Sequence, residues 1–312
     1  MNKLKTIGLT ALGTTLIASS AFAAELSVSG GASLYFDDPN RGGAAKGNSF
    51  YMGDSINFSA SGEMDNGLTA GVNYEIDGGA LDDHNIFISS DAIGTIRFDG
   101  SGGSSAMSAV DDVAPTAYEE SWDIVTGGDT YVINGLSGAN IFKWTSPSVG
   151  GATLTMSYLD ASDAVTDVSY TDFAIAFSPE MVEGLTLGYA AADVEVATGT
   201  KHAESTMYAK YAFGPVTVGY QTSDQDKTAA NTDVSTVTYG ISYAVSDNMS
   251  VAYHQATVDS ETDTDDQEAT GISISYTMGS MTLAGAMNSV DNVGFDATDD
   301  REGYEFGLTF AF

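Results

Sequence analysis

The chain has 312 residues, no cysteine, and 10 Lys and Arg against 43 Asp and Glu, for a formal charge of −33. That balance speaks against a nucleic-acid partner, because phosphate binding needs clustered Lys and Arg, and the missing cysteines exclude a disulfide framework. A hydrophobic content of 43% with 16 Tyr and 14 Phe is too rich in strand formers for a disordered acidic chain.

The first element in chain order is an export signal. Lys3 and Lys5 form its charged start, Ile7 to Ile17 its apolar core, and Ala21-Phe22-Ala23 a small-residue cleavage site. Removing residues 1–23 takes away two lysines, moves the charge from −33 to −35 and leaves 24–312 as one domain. No later run reaches the 18 or so apolar residues of a membrane helix, so a membrane crossing would have to be made by strands.

Successive side chains of a strand point to opposite faces, so runs with an apolar residue at every second position predict strands. Sixteen such runs follow, near 25–36, 54–63, 67–77, 83–91, 94–101, 140–147, 151–160, 169–178, 184–193, 203–213, 215–223, 233–245, 249–259, 267–277, 281–290 and 302–312. In the third, Leu68, Ala70, Val72, Tyr74 and Ile76 alternate with Thr69, Gly71, Asn73 and Glu75. In the last, Tyr304, Phe306, Leu308, Phe310 and Phe312 share one face, and Glu305, Gly307, Thr309 and Ala311 the other.

The connections alternate in length. Those after even-numbered runs are tight, as at Met64-Asp65-Asn66, Ala92-Ile93, Gly214, Ser246-Asp247-Asn248 and Gly279-Ser280. Those after odd-numbered runs, 37–53, 102–139, 161–168, 194–202, 224–232, 260–266 and 291–301, are longer and acidic, with 78–82 a short exception. Short turns on one side and long loops on the other describe a transmembrane barrel. A strand of about ten residues tilted near 45° covers roughly 23 Å, close to the apolar band of such a barrel. The predicted fold class is therefore all-β: a closed antiparallel transmembrane β-barrel of about sixteen strands, with a long loop after the fifth.

Placing Ile96 and Phe98 against lipid turns Arg97 and Asp99 into the lumen. The same parity puts Lys143 and Lys210 inside, where charge is tolerated. Tyrosines and phenylalanines near strand ends, among them Tyr35, Tyr74, Tyr158, Tyr220 and Tyr304, are candidates for interfacial girdles. The acidic run Asp259 to Asp266 offers Asp263, Asp265 and Asp266 as weak ligands for Ca²⁺ or Mg²⁺, though it lacks the central glycine and closing glutamate of an EF-hand loop. No cofactor motif and no catalytic motif is present, and His84, His202 and His254 fall in separate elements, so no enzyme is expected.

The export signal, the Tyr-x-Phe-x-Leu-x-Phe-x-Phe strand ending at Phe312, the opening Ala-Glu-Leu-Ser-Val-Ser-Gly strand and the long connection after the fifth run make the chain resemble the general porins of alphaproteobacteria. That family is one of sixteen-stranded, trimeric outer-membrane barrels. The resemblance implies that Phe312 is the mark read by the barrel-insertion machinery and that 102–139 folds inward as a constriction loop carrying Asp111, Asp112, Glu119, Glu120, Asp123 and Asp129. It also implies a homotrimer in contact with outer-membrane lipid and lipopolysaccharide. The departure is a scarcity of arginine on the opposing wall. The expected function is a diffusion pore for ions and small hydrophilic solutes with a weak preference for cations. The rival reading is a secreted acidic β-solenoid or adhesin without a pore, which accounts for signal, acidity and glycine but not for the aromatic terminal strand.

Overall fold

The computed structural model describes residues 25–37, 50–125, 133, 135–160, 169–196, 200–227, 229 and 232–312. The predicted export signal and Asp129 lie outside the described residues. Eighteen strands follow in order: β1 Glu25–Asp37, β2 Phe50–Glu63, β3 Thr69–Asp77, β4 Ala80–Ser90, β5 Gly94–Ser101, β6 Gly103–Ser104, β7 Ser137–Gly138, β8 Ile141–Thr145, β9 Ala152–Leu159, β10 Ser169–Phe177, β11 Leu185–Val196, β12 Thr200–Phe213, β13 Val216–Lys227, β14 Val234–Ser246, β15 Met249–Ser260, β16 Gln267–Met278, β17 Met281–Asp291 and β18 Arg301–Ala311. All but β6 and β7 form one closed antiparallel barrel, and those two make a short ribbon of their own.

Closure is made by β1 and β18, in register from Gly31↔Ala311 to Asp37↔Glu305. Beyond that ladder, Gly30 N–H donates to the Phe312 carbonyl at 3.0 Å and Phe312 N–H to the Gly30 carbonyl at 2.9 Å. A solenoid has two free sheet ends, so this seam overturns the rival reading.

The distribution of side chains is inverted relative to a water-soluble domain. Val28, Ile272 and Met287 are 57%, 64% and 68% exposed on the outer face, while Thr206, Gln221 and Thr236 on the inner face are 1% exposed. Strict alternation produces this, since each strand sends apolar residues to lipid and polar ones to the interior. At the end with short turns, the Trp144 indole donates to the Ile93 carbonyl at 2.8 Å, pinning an outward aromatic to a turn.

Several strands run past their predicted limits. The predicted connection 78–82 shrinks to Gly78-Gly79, whose φ values of 55° and 83° suit a two-residue hairpin turn. β2 starts at Phe50, β12 starts at Thr200, and β13 continues to Lys227. In the last two, polar residues such as Lys201, Asp224 and Asp226 sit on the outer face, so apolar alternation stops while ladder pairing goes on. One aromatic is placed differently: Tyr35, a girdle candidate, points into the lumen and stacks on Tyr51.

Candidate functional site

The connection from β5 to β8 enters the barrel and lies along its inner wall. Its neck is closed by β6 and β7, paired Gly103↔Gly138 and Ser104↔Ser137, and by Ser105 N–H donating to the Leu136 carbonyl at 2.8 Å. Lys143 Nζ donates to the Ser104 carbonyl at 2.7 Å and to Ser104 Oγ at 3.1 Å. Its ammonium thus fastens the loop root instead of standing free in the lumen.

Past the neck, Ala106, Met107, Val110 and Ile133 bury against Tyr170, Ala174, Ala190, Ala192, Val194 and Tyr208 of β10 to β12. Small wall residues admit the loop, and polar ones satisfy its backbone. Ala106 N–H donates to Ser157 Oγ and Met107 N–H to Asp172 Oδ2 at 2.7 Å. Gln221, on β13, gives its amide N–H groups to the carbonyls of Val110 and Asp111, both at 2.8 Å, and accepts from Val113 N–H at 3.0 Å. A Cβ on Gly219 or Gly240 would come within 2.5 Å of Pro115 atoms, so the wall is bare where the loop presses closest.

The tip reaches the opposite side of the seam. Ala117 N–H donates to Ser273 Oγ at 3.0 Å, the Tyr118 hydroxyl to Glu305 Oε1, and Ser121 N–H to His254 Nδ1 at 3.2 Å. The Trp122 ring meets His254 edge-on at 5.1 Å and buries with Val125, Ala256, Ala269, Val290 and Val293. The loop therefore covers the wall from β9 to β18, with Tyr118 reaching toward Tyr35 of β1 beside Gly307, and leaves most of β1 to β5 as the open face of the remaining passage.

Asp111, Glu119 and Glu120 are partly buried, and Asp112 and Asp123 are exposed. Burial, reinforced by Asp112, raises the Asp111 carboxyl to about 7. Burial and Asp123 raise Glu119 to about 7 and Glu120 to about 9. Carboxylate oxygens of Glu119, Glu120 and Asp123 lie within 4.8 Å of one another. The predicted ligands of the 259–266 run do not gather in this way. Asp263 Oδ2 accepts from Thr262 Oγ1 at 2.7 Å, Asp265 Oδ2 from Thr264 Oγ1 at 3.1 Å, and the Asp266 carbonyl accepts from the Asn292 side-chain amide at 2.7 Å.

On the wall, Arg97 forms an ion pair with Asp99, whose side chain is fully buried; Asp99 Oδ2 has no hydrogen-bond partner among the described residues. Lys210 sits on the inward face of β12, opposite Thr186 and Gly219. Sequence reasoning missed Gln221, His254, Tyr118 and Glu305 as loop anchors. The only signal was their type, since amide, imidazole and carboxyl groups at inward positions are the ones that satisfy a loop backbone.

The model of the Gram-negative porin family matches residues 8–266, and no curated protein matches the chain. Among solved structures, the chain is similar to the anion-selective porin from Comamonas acidovorans, with 16% identity, a TM-score of 0.71, and 93% of this chain and 100% of that one covered. A mutant Rh. blastica porin gives 17% identity and a TM-score of 0.66, covering 92% and 100%. Outer-membrane expressed OmpT of Vibrio cholerae gives 12% and 0.69, covering 95% and 100%. At these identities the likeness is one of fold.

Proposed function

The chain belongs to the Gram-negative porin family, and from that membership we propose an outer-membrane diffusion pore that prefers cations and assembles as a homotrimer. The observation that carries the cation preference is the contrast across the passage. The loop presents Asp111, Asp112, Glu119, Glu120 and Asp123, while the strands β1 to β4 opposite it contain no Lys or Arg at all. Of the inward cations, Arg97 is neutralised by Asp99 and Arg301 is paired with Asp299, so that Lys143, drawn onto Ser104 at the loop root, and Lys210 on β12 are what stands against the five acids of the loop. Rings of carboxylates favour cations in a pore.

The fold does not decide the sign, because function lies in the side chains grafted on it; a similar barrel is described as anion-selective. Zero-current potentials across planar bilayers holding the protein in a KCl gradient test the reading. A potential of the sign set by K⁺ is expected, and one set by Cl⁻ would overturn it. Chemical cross-linking of the detergent-extracted protein tests the trimer, with a three-subunit band expected.

A further inference from the structure

The barrel seam carries a feature that the diffusion of simple ions does not require. Tyr35 of β1 and Tyr51 of β2 are cross-strand partners, and both occupy inward positions. Their rings stack at 4.8 Å with an interplanar angle of 21°. Tyr51 keeps 44% of its surface exposed. A Cβ on the neighbouring Gly307 would lie 2.6 Å from the Tyr118 hydroxyl and 3.4 Å from Tyr35 Cδ1. The bare glycine thus lets Tyr118 of the loop and Tyr35 of the wall approach over one spot. The stacked pair of β1 and β2 and the Tyr118 hydroxyl of the loop meet at Glu305, to which Tyr118 and Tyr51 both donate.

Around it the charge is of one sign. Glu305 accepts from Tyr118 and from the Tyr51 hydroxyl at 3.4 Å, and its cross-strand partner is Asp37; both acids are buried, at 6% and 7% exposure. Glu119 follows Tyr118 directly. The inward cation of β18, Arg301, is held by Asp299 through two nitrogens. An aromatic face with a negative quadrupole beside carboxyl groups attracts a cation that also has an apolar surface. A small inorganic ion gains less there, because it gives up hydration without contacting the ring.

We infer that the Tyr35–Tyr51 stack, with Glu305 and the Tyr118 hydroxyl beside it, is a binding site for organic cations, of the quaternary ammonium class, on their way through the pore. This rests on the pore reading, and it adds a solute class to what that reading otherwise treats as unselective passage.

The test is conductance of the whole protein in a planar bilayer in KCl, with choline added and, in parallel, its uncharged carbon isostere 3,3-dimethylbutan-1-ol. Choline is expected to reduce the K⁺ current saturably, and the isostere at equal concentration to leave it unchanged. Tyr51→Leu is expected to weaken the choline effect about fivefold or more, and Tyr51→Phe, which keeps the ring, to retain most of it. Normal KCl steps with no choline effect, or equal effects of choline and its isostere, would overturn the site and leave the pore intact. A wild-type protein without KCl steps would instead overturn the pore. If Tyr51→Leu does not insert, the wild-type comparison and Tyr51→Phe still decide.

Discussion

Glu119, Glu120 and Asp111 show how one residue type acquires its role from where the loop puts it. Each is a carboxyl withdrawn from water beside another carboxyl, and each titrates far above an ordinary acid, at about 7, 9 and 7. Two consequences have opposite signs. The lumen becomes more negative as these groups ionise, so cation preference, read as the zero-current potential, is expected to climb between about pH 6 and about pH 8 as Asp111 and Glu119 ionise and further toward about pH 10 as Glu120 does. The same groups bind protons more tightly folded than unfolded, so between roughly pH 4 and pH 9 folding loses stability as pH rises, the last part of it from Glu120. A combined Asp111→Asn and Glu119→Gln variant is expected to flatten the potential between about pH 6 and about pH 8; an unchanged slope there would assign it to other groups. Sequence parity placed Arg97 and Lys143 in the lumen, as the structure does, yet gave no means of seeing that Asp99 and Ser104 occupy them. Pairing depends on which residues tertiary contact brings near, and alternation is silent about that.

Strands were the most legible elements, because lipid on one side and water on the other force a period of two along every crossing. β5 and β15 to β18 lie within a residue of their predicted ends. Beyond the apolar band, where both faces are polar, alternation stops while β13 still pairs to Lys227, and at the short-turn end β3 starts and β8 stops two residues inside their predicted limits. The loop was legible as a length and an acidity, but its path was not, since it follows inner-wall vacancies contributed by distant strands. Gly240 marks that path: it lies between Tyr239 and Ile241, and looks like one more small inward residue until Pro115 is found against it. Gly240→Val should therefore push the loop off the wall toward β1 to β5, since a branched side chain cannot share space with the Pro115 backbone. Single-channel conductance is expected to fall clearly while heat-modifiable gel migration persists. A conductance equal to wild type would mean that the loop does not press on β14 in the membrane.

At the scale of the whole molecule, the barrel depends on its two ends meeting. In hydrocarbon an unpaired N–H or carbonyl has no water to turn to, so an open seam would cost every group along β1 and β18. Phe312 contributes to closure in two separable ways. Its backbone exchanges two hydrogen bonds with Gly30, and its side chain, 74% exposed, presents an aromatic to the surroundings at the end with short turns. Deleting Phe312 removes both, whereas Phe312→Ala keeps the backbone pair. Two backbone hydrogen bonds are worth about 2 kcal/mol together. The temperature at which the folded band unfolds in detergent gels should thus drop for the deletion and remain near wild type for Phe312→Ala. Equal drops would shift the stabilising role from the paired backbone to the ring. If instead both folded forms match wild type but Phe312→Ala reaches the outer membrane in lower amount, the ring acts in insertion and not in the finished barrel. That outcome would fit the terminal aromatic being read by the insertion machinery before the seam forms.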